Sequence, residues 1–530
     1  MAGYVFGVAL TLTLGVLVVA ALVIAWRRPY LGLPILVGGM AVHNAALMFL
    51  LTAGVPDLVI RCLQLWKEAL LALLVFRLAV GLVRPGLRPT LSAALTSWRS
   101  SWLVVRLLDL GVALFAVMLL IYTVLPLAAG DSGASLTQRL LELRVLEMLP
   151  LLYLFGRVWP PVNLRLGLGA VVVVAVLVSL IGLIELFFLP TRTWLDLGIL
   201  RFDSWLGFHY PGPGGLPQNF FQSTSGGLLR RMVSTYLSPL GIAYTGILVI
   251  PAAFMAAVSP GGRKRYAWLA LALVLVGMTF SLTRLALLCI AVEAIVLLLL
   301  RLRRSGVLAA GAIVAAVAFG LLVYPSFGPL VSVDLADVRP PLGAQMLGFY
   351  SGSGSISASA SASGSGSISA SGDQHVDVTT DVINALATGD DLSIQAHIGA
   401  VANGLRFVGE HPLGVGLGTS VTRYGSTSGP GESALFAIGA DIGLLGLLLF
   451  IAVYGGLVLS GLAIAWLWRE DVAKCALGAV VGVGGLALAP VVLTSQVWSN
   501  FSVTFLFWWA AGSVVTLVAK SLKERSHQDA

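Results

Sequence analysis

RFVGEHPLGVGLGTSVTRYGSTSGPGESALFAIGADIGLLG, residues 406–446, is the stretch from which the rest of this chain is read. Arg406 lies near the end of an amphipathic segment that Pro412 stops, and a glycine-rich turn follows. A polar loop carrying Arg423, Tyr424 and Glu432 then runs straight into an apolar helix. Charged, glycine-rich backbone therefore stands where a membrane span begins. Polar groups buried there without partners cost roughly several kcal/mol each, so they need a reason.

The composition around this stretch explains the apolar helix. Of 530 residues, 58% are hydrophobic and 11% charged, with a mean hydropathy of +0.96. Soluble domains carry about 25% charged residues. The chain is thus an all-α polytopic membrane protein, and soluble domain-counting does not apply to it. The net charge of +8 falls largely in short loops between apolar runs, where it sets topology. No basic patch interleaved with aromatics points to nucleic acid. Cys62, Cys289 and Cys475 form no CxxC pair, so neither a disulfide framework nor a zinc site is indicated. The N-terminal run lacks the charged start of a cleavable signal and is long enough to remain as a span.

At ~20 apolar residues per crossing, about 12–13 spans are expected. They fall near 4–26, 31–53, 57–83, 103–126, 144–159, 165–189, 238–258, 266–282, 284–301, 306–325, 434–467, 473–494 and 499–519. The fifth is short, and almost nothing separates the eighth from the ninth. Basic residues follow the odd-numbered spans: Arg27 and Arg28, Arg84 to Arg99, Arg157 and Arg165, Arg263 to Arg265, Arg301 to Arg304, Arg469 and Lys474, then Lys520 to Arg525. Those loops belong on the cytoplasmic side, which puts the N-terminus outside and the C-terminus inside.

Three regions result. Residues 1–325 hold spans one to ten with an external loop at 190–237. Residues 326–433 form a long extracytoplasmic loop, and 434–530 hold the C-terminal spans. Within the long loop, 351–371 alternates serine with Gly, Ala or Ile; it can bury no core and is assigned no chemistry. Further on, Ile398, Val401, Leu405 and Val408 recur at three- and four-residue spacing. They predict an external helix over roughly 391–409 with that face turned to the membrane domain, ending before Pro412.

Several charged residues could carry chemistry, and each also has a bland reading. Arg231 opens RMVSTYLSPLG before span seven and could simply snorkel to headgroups. Arg284 sits in SLTRLALL between two apolar runs, where a charge usually faces a cavity or a partner. Glu293 lies deeper in the same span and is expected to pair with a basic neighbour elsewhere. Arg406 and His411 flank the end of the external helix, and each alone is more often a surface residue. Gly414, Gly416 and Gly418 look superficially like a phosphate loop, but without a strand–turn–helix context a close backbone approach is the better account. Glu432 either favours the dipole at the start of span eleven or acts as a general base. Asp441 lies about two and a half turns deeper. Several arginines and one carboxylate on one side of a membrane suit an anionic, lipid-linked substrate, because the guanidinium fork matches phosphate oxygens.

RMVSTYLSPLG at 231–241, SLTRLALL at 281–288, GLRFVGEHPLGVGLG from 404 and GPGESALFAIGADIGLLGLLLF up to 450 together resemble the O-antigen ligase and O-antigen polymerase superfamily of bacterial membrane glycosyltransferases. The likeness covers roughly 225–450, with the N-terminal third similar only in topology. It implies a GT-C-like helical fold in the bacterial cytoplasmic (inner) membrane, with the long external loop carrying short helices and an extracytoplasmic active site. It also implies an inverting glycosyl transfer that needs no metal or cofactor. The donor would be a glycan on undecaprenyl diphosphate and the acceptor a second glycan; membrane lipids, and a chain-length regulator or flippase, are the further partners expected. Arg231, Arg284 and Arg406 match the family's diphosphate-binding arginines, and Glu432, with His411 as second candidate, would be the catalytic base. Ligases of this group typically have a histidine where this chain has Glu432, which favours a polymerase of lipid-linked repeat units. Transfer of a finished glycan to a lipid or protein acceptor stays open. So does a transporter or flippase of lipid-linked sugars, although no internal repeat is visible and the long loops share one side.

Overall fold

The computed structural model describes residues 2–83, 103–124, 134–160, 164–206, 216–224, 227–259, 264–326, 392–418 and 433–528. Glu432, Arg423, Tyr424 and the 351–371 run lie outside them. The architecture is all-helical and multi-pass, with one short hairpin. In chain order the helices are α1 (Ala2–Arg27), α2 (Gly32–Thr52), α3 (Asp57–Gln64), α4 (Trp66–Val83), α5 (Leu103–Val124), α6 (Leu136–Leu146), α7 (Met148–Val158) and α8 (Leu164–Phe188). Two short helices, α9 (Thr193–Asp196) and α10 (Ile199–Leu206), precede the hairpin of β1 (Phe221–Thr224) and β2 (Gly227–Arg230), in which Phe221 pairs with Arg230. There follow α11 (Pro239–Val258), α12 (Lys264–Phe280), α13 (Arg284–Leu300), α14 (Arg304–Ala318), α15 (Leu392–Glu410), α16 (Ala434–Leu467), α17 (Val472–Thr494) and α18 (Phe501–Gln528).

Among the described residues, nine helices are long and apolar enough to cross a membrane. The other four expected spans are the short or broken ones. The run 57–83 is split at Leu65 into α3 and α4, and α7 in the 144–159 run has only 11 residues. Helices α12 and α13 have 17 residues each, the short end of what crosses a bilayer. They are two helices joined by a tight turn at 281–283.

The core is built where glycine lets helices meet. A Cβ on Gly461 of α16 would fall 2.4 Å from the Gly482 nitrogen of α17, and one on Gly478 would fall 2.5 Å from that of Ala465. Small residues at such spacing are how helices gain packing in lipid, where no hydrophobic drive separates protein from solvent. Against this pair lie α11, almost wholly buried, and the aromatic half of α18 with Phe505, Phe507, Trp508 and Trp509.

Helix α15 runs within a residue of the bounds expected for it, but its buried face differs. Val408 is buried, whereas Ile398 and Leu405 are exposed, and Gly404 and Phe407 are buried instead. Gly404 sits where a Cβ would meet the Phe436 ring at 2.6 Å, and Phe407 packs with Val415 and Ala440. The helix is rotated toward its aromatic and glycine side because α16 offers Phe436 as the partner, which periodicity within α15 could not show.

Candidate functional site

The two arginine stretches are joined through backbone. The Met232 N–H donates to the Phe280 carbonyl at 2.9 Å, which seats residues 231–237 against the α12–α13 turn. Three non-glycine residues have left-handed backbone among those described: Ser234 (φ 50°), Leu237 (φ 53°) and Leu282 (φ 52°). All three lie in these two stretches. Strained conformations of this kind cost about 1–3 kcal/mol each and persist only where their surroundings over-determine them.

Arg231 is buried, and its hydrogen bonds go to uncharged oxygens. Nε donates to the Ser281 carbonyl at 2.8 Å and Nη2 to the Thr283 hydroxyl at 2.9 Å. Burial draws its pKa down to about 10; Tyr244 opposes this, and the charge of Arg284 adds to it. Arg231 therefore stays cationic at neutral pH, with the half-buried Arg284 near enough to be felt. Arg284 is the first residue of α13, and the Thr283 side chain makes no capping bond to that helix. The positive end of the α13 dipole thus adds to two guanidinium groups, an arrangement that attracts an anion.

Arg230, one residue earlier, is held quite differently. Its Nη2 meets Glu185 Oε1 of α8 at 2.6 Å, and Nη1 donates to the Leu189 carbonyl at 2.6 Å. Glu185 also accepts from Trp194 Nε1 at 3.1 Å and from the Val233 N–H at 3.2 Å. This buried pair fixes the hairpin and the 231–237 stretch to α8. Sequence reading passed over Glu185, whose only signal is an acid near the end of an otherwise apolar span.

The start of α16 reaches the same region. Ser433 caps α16 by accepting from the Phe436 N–H at 3.1 Å. The Ala434 N–H donates to the Ser495 carbonyl at 3.1 Å, and the Tyr244 hydroxyl meets Ser495 Oγ at 3.1 Å. The start of α16 is thus joined through Ser495 to Tyr244, which, like Arg284, lies near enough to act electrostatically on Arg231; Ser433 is the residue that follows Glu432 in the chain.

The glycine-rich turn is explained by close packing. Helix α16 breaks at Gly443 (φ 78°, ψ 178°), and the turn docks into the break. Val415 and Gly416 donate to the carbonyls of Ala440 and Asp441 at 2.8 and 3.0 Å, while Leu444 N–H donates to Pro412 O at 2.8 Å. A Cβ on Gly414 would fall 2.5 Å from the Gly443 nitrogen, and both glycines have left-handed φ. Asp441 is buried and accepts from the Gly418 N–H at 3.3 Å.

Arg406 and His411 stand at the turn's other end. Arg406 is exposed and bonds Glu410 on the same helix at 2.8 Å. His411 stacks on Phe407 at 4.4 Å between ring centroids, with Nδ1 3.1 Å from the Phe407 carbonyl. Both of these bonds are to neighbours on α15 itself. Glu293 does not find the basic partner expected for it: it is fully buried, and neither oxygen has a hydrogen-bond partner among the described residues.

Fold and site define a multi-pass, all-helical membrane protein with a buried, cation-rich centre at one end of its bundle. No protein-family model matches the chain, and no curated protein matches it either.

Proposed function

We propose that this protein polymerises lipid-linked oligosaccharide repeat units, the lipid diphosphate of the donor being held at Arg231 and Arg284. The observation that carries this reading is the burial of Arg231 among uncharged oxygens with a second guanidinium beside it. The described partners of Arg231 are neutral, and an anion beside it would relieve the cost of burying its charge. A diphosphate offers the oxygens that guanidinium forks accept.

In the reaction proposed, the acceptor hydroxyl oxygen attacks the donor's anomeric carbon from the face opposite the diphosphate. The bond from that carbon to the diphosphate oxygen breaks, configuration inverts, and undecaprenyl diphosphate leaves. The hydroxyl proton passes to the Glu432 carboxylate. Charge develops on the leaving oxygen, where Arg231, Arg284 and the α13 N-terminus stabilise it without reorganising. Arg406, on the exposed face of α15, would contact substrate only from the loop side. The resemblance of the 231–241, 281–288 and 404–450 stretches to O-antigen polymerases and ligases, and an acid at 432 rather than a histidine, support this reading.

The test is polymer formation from purified undecaprenyl-diphosphate-linked repeat units, with donor binding measured separately. Glu432→Gln is expected to lower turnover by roughly 10²–10⁴-fold with binding nearly intact, as for loss of a general base. Near-normal turnover would remove Glu432 as the base and make His411 the next residue to change. In a deletion strain, loss of chain length with single units retained means a polymerase; free polymer that is no longer attached means a ligase.

A further inference from the structure

A second charged cluster lies at the same end of the bundle, where α4, α16 and α18 begin. Lys67, the second residue of α4, is buried, with its ammonium 5.0 Å from the centre of the Phe501 ring at the start of α18. Lys67 Nζ and Arg144 Nε of α6 converge on one oxygen, Oε1 of Glu68, at 3.2 and 3.1 Å. Two cations thus share one carboxylate. Lys67 lies beneath Glu68 and Arg144, which keep about a fifth and a third of their side chains open (21% and 32%).

The segment 495–501 runs from the first cluster to the second. Its start touches Tyr244 and Ser433 through Ser495 and Gln496, and its end stacks Phe501 on Lys67. Helix α6 also borders the glycine-rich turn: a Cβ on Gly418 would lie 3.2 Å from the Gln138 carbonyl. Helix α6, which carries Arg144, therefore touches both the second cluster and the glycine-rich turn.

We propose that Arg144 and Lys67 form a second diphosphate subsite, which holds the lipid-linked acceptor while the arginine pair holds the donor. This rests on the reading that the chain joins two lipid-linked units, since each of them brings its own diphosphate. One cluster would serve a single lipid-linked substrate; two on either side of one segment serve a pair. Arg144 is the direct contact, and Lys67 supplies charge from below.

The experiment has a binding arm and a transfer arm. In phosphatidylcholine nanodiscs, radiolabelled undecaprenyl diphosphate should bind at two sites per chain. Lys67→Met and Arg144→Gln should each leave the first site unchanged and weaken the second by roughly 10- to 100-fold, the range for losing one charge-assisted bond. Glu68→Gln should tighten the second site, which a merely structural ion pair would not do. In the transfer arm, labelled donor is given either the lipid-diphosphate-linked repeat or the same oligosaccharide as a methyl glycoside. The two variants should raise KM for the lipid-linked acceptor by a similar factor, leave kcat nearly unchanged, and erase its advantage over the methyl glycoside. One binding site in the wild type, or weakening by Glu68→Gln, overturns the proposal. So does full competition for the second site by phosphatidylglycerol, which would make it a general headgroup site. Two sites without any transfer would leave the second anion subsite standing and instead overturn the polymerase reading and its acceptor role; transfer with one site would do the reverse.

Discussion

Arg230 and Arg231 are neighbours in the chain and opposites in the fold. Arg230 meets a carboxylate, Glu185, at 2.6 Å, and the same carboxylate gathers a tryptophan and two backbone N–H groups. Among the described residues Arg231 donates to a carbonyl and a hydroxyl, and the groups that act on its charge are Tyr244 and another arginine, Arg284. Burying a guanidinium beside a carboxylate fixes a structure. Burying one among neutral dipoles leaves its charge available, so its counterion must come from elsewhere. The difference teaches that the position of the counter-charge, rather than burial itself, separates a structural arginine from a binding one.

The largest effect should come from breaking the neutralised pair. Glu185→Ala leaves Arg230 buried without its carboxylate, which costs about 3–5 kcal/mol. A large fall in the thermal midpoint in detergent, or loss of folded protein, is the expected outcome. A midpoint near that of the wild type would mean that the Arg230 pair is not what holds the hairpin to α8.

Arg231→Met should reverse the pattern. Its partners are uncharged and remain satisfiable, so the thermal midpoint should fall far less than for Glu185→Ala. Turnover should drop by about 10²–10³-fold, equivalent to about 2.7–4 kcal/mol of transition-state stabilisation. Arg231→Lys keeps the charge but loses the fork and should fall in between. If Arg231→Met unfolds the protein as thoroughly as Glu185→Ala does, the contrast collapses.

A third change tests the scaffold between the clusters. Gly443→Ala forces a side chain into left-handed backbone and into the Leu413 carbonyl carbon at 2.7 Å. A loss of about 1–3 kcal/mol is expected from the backbone alone. Limited proteolysis within 411–418 should accelerate, because the turn is held by the carbonyls that this break exposes.

The smallest effect on stability belongs to Arg406→Gln. The residue is exposed, and its ion pair is an ordinary i,i+4 contact, so the thermal midpoint should not move measurably. Any loss of turnover then reports substrate contact directly, and it should stay below the loss seen for Arg231→Met. A loss as large as that of Arg231→Met would place Arg406 with the binding arginines despite its exposure.

Much of this could be read from the chain alone. Apolar run length set the helices, and Pro412 and the glycines around it set the turn between α15 and α16. The misreadings share a cause. Ile398 and Leu405 matched the helical period, yet the helix turned its Gly404 and Phe407 side inward, because the partner surface is Phe436 and Ala440. The 57–83 run looked continuous because hydropathy does not register the break at Leu65, which presents Lys67 to Phe501.

The sequence by itself determined that this chain crosses a membrane many times, where its helices lie, and that arginines cluster before and between particular spans. Those properties depend on local composition and on the cost of leaving backbone polar groups bare in lipid. Only the tertiary structure decided which arginine is neutralised. Glu185 lies 45 residues from Arg230, and packing alone brings its carboxylate to that arginine and not to its neighbour Arg231. Electrostatic roles depend on distances in space, on burial and on the few oxygens within about 3 Å, and neighbouring positions in a sequence can differ completely in all three.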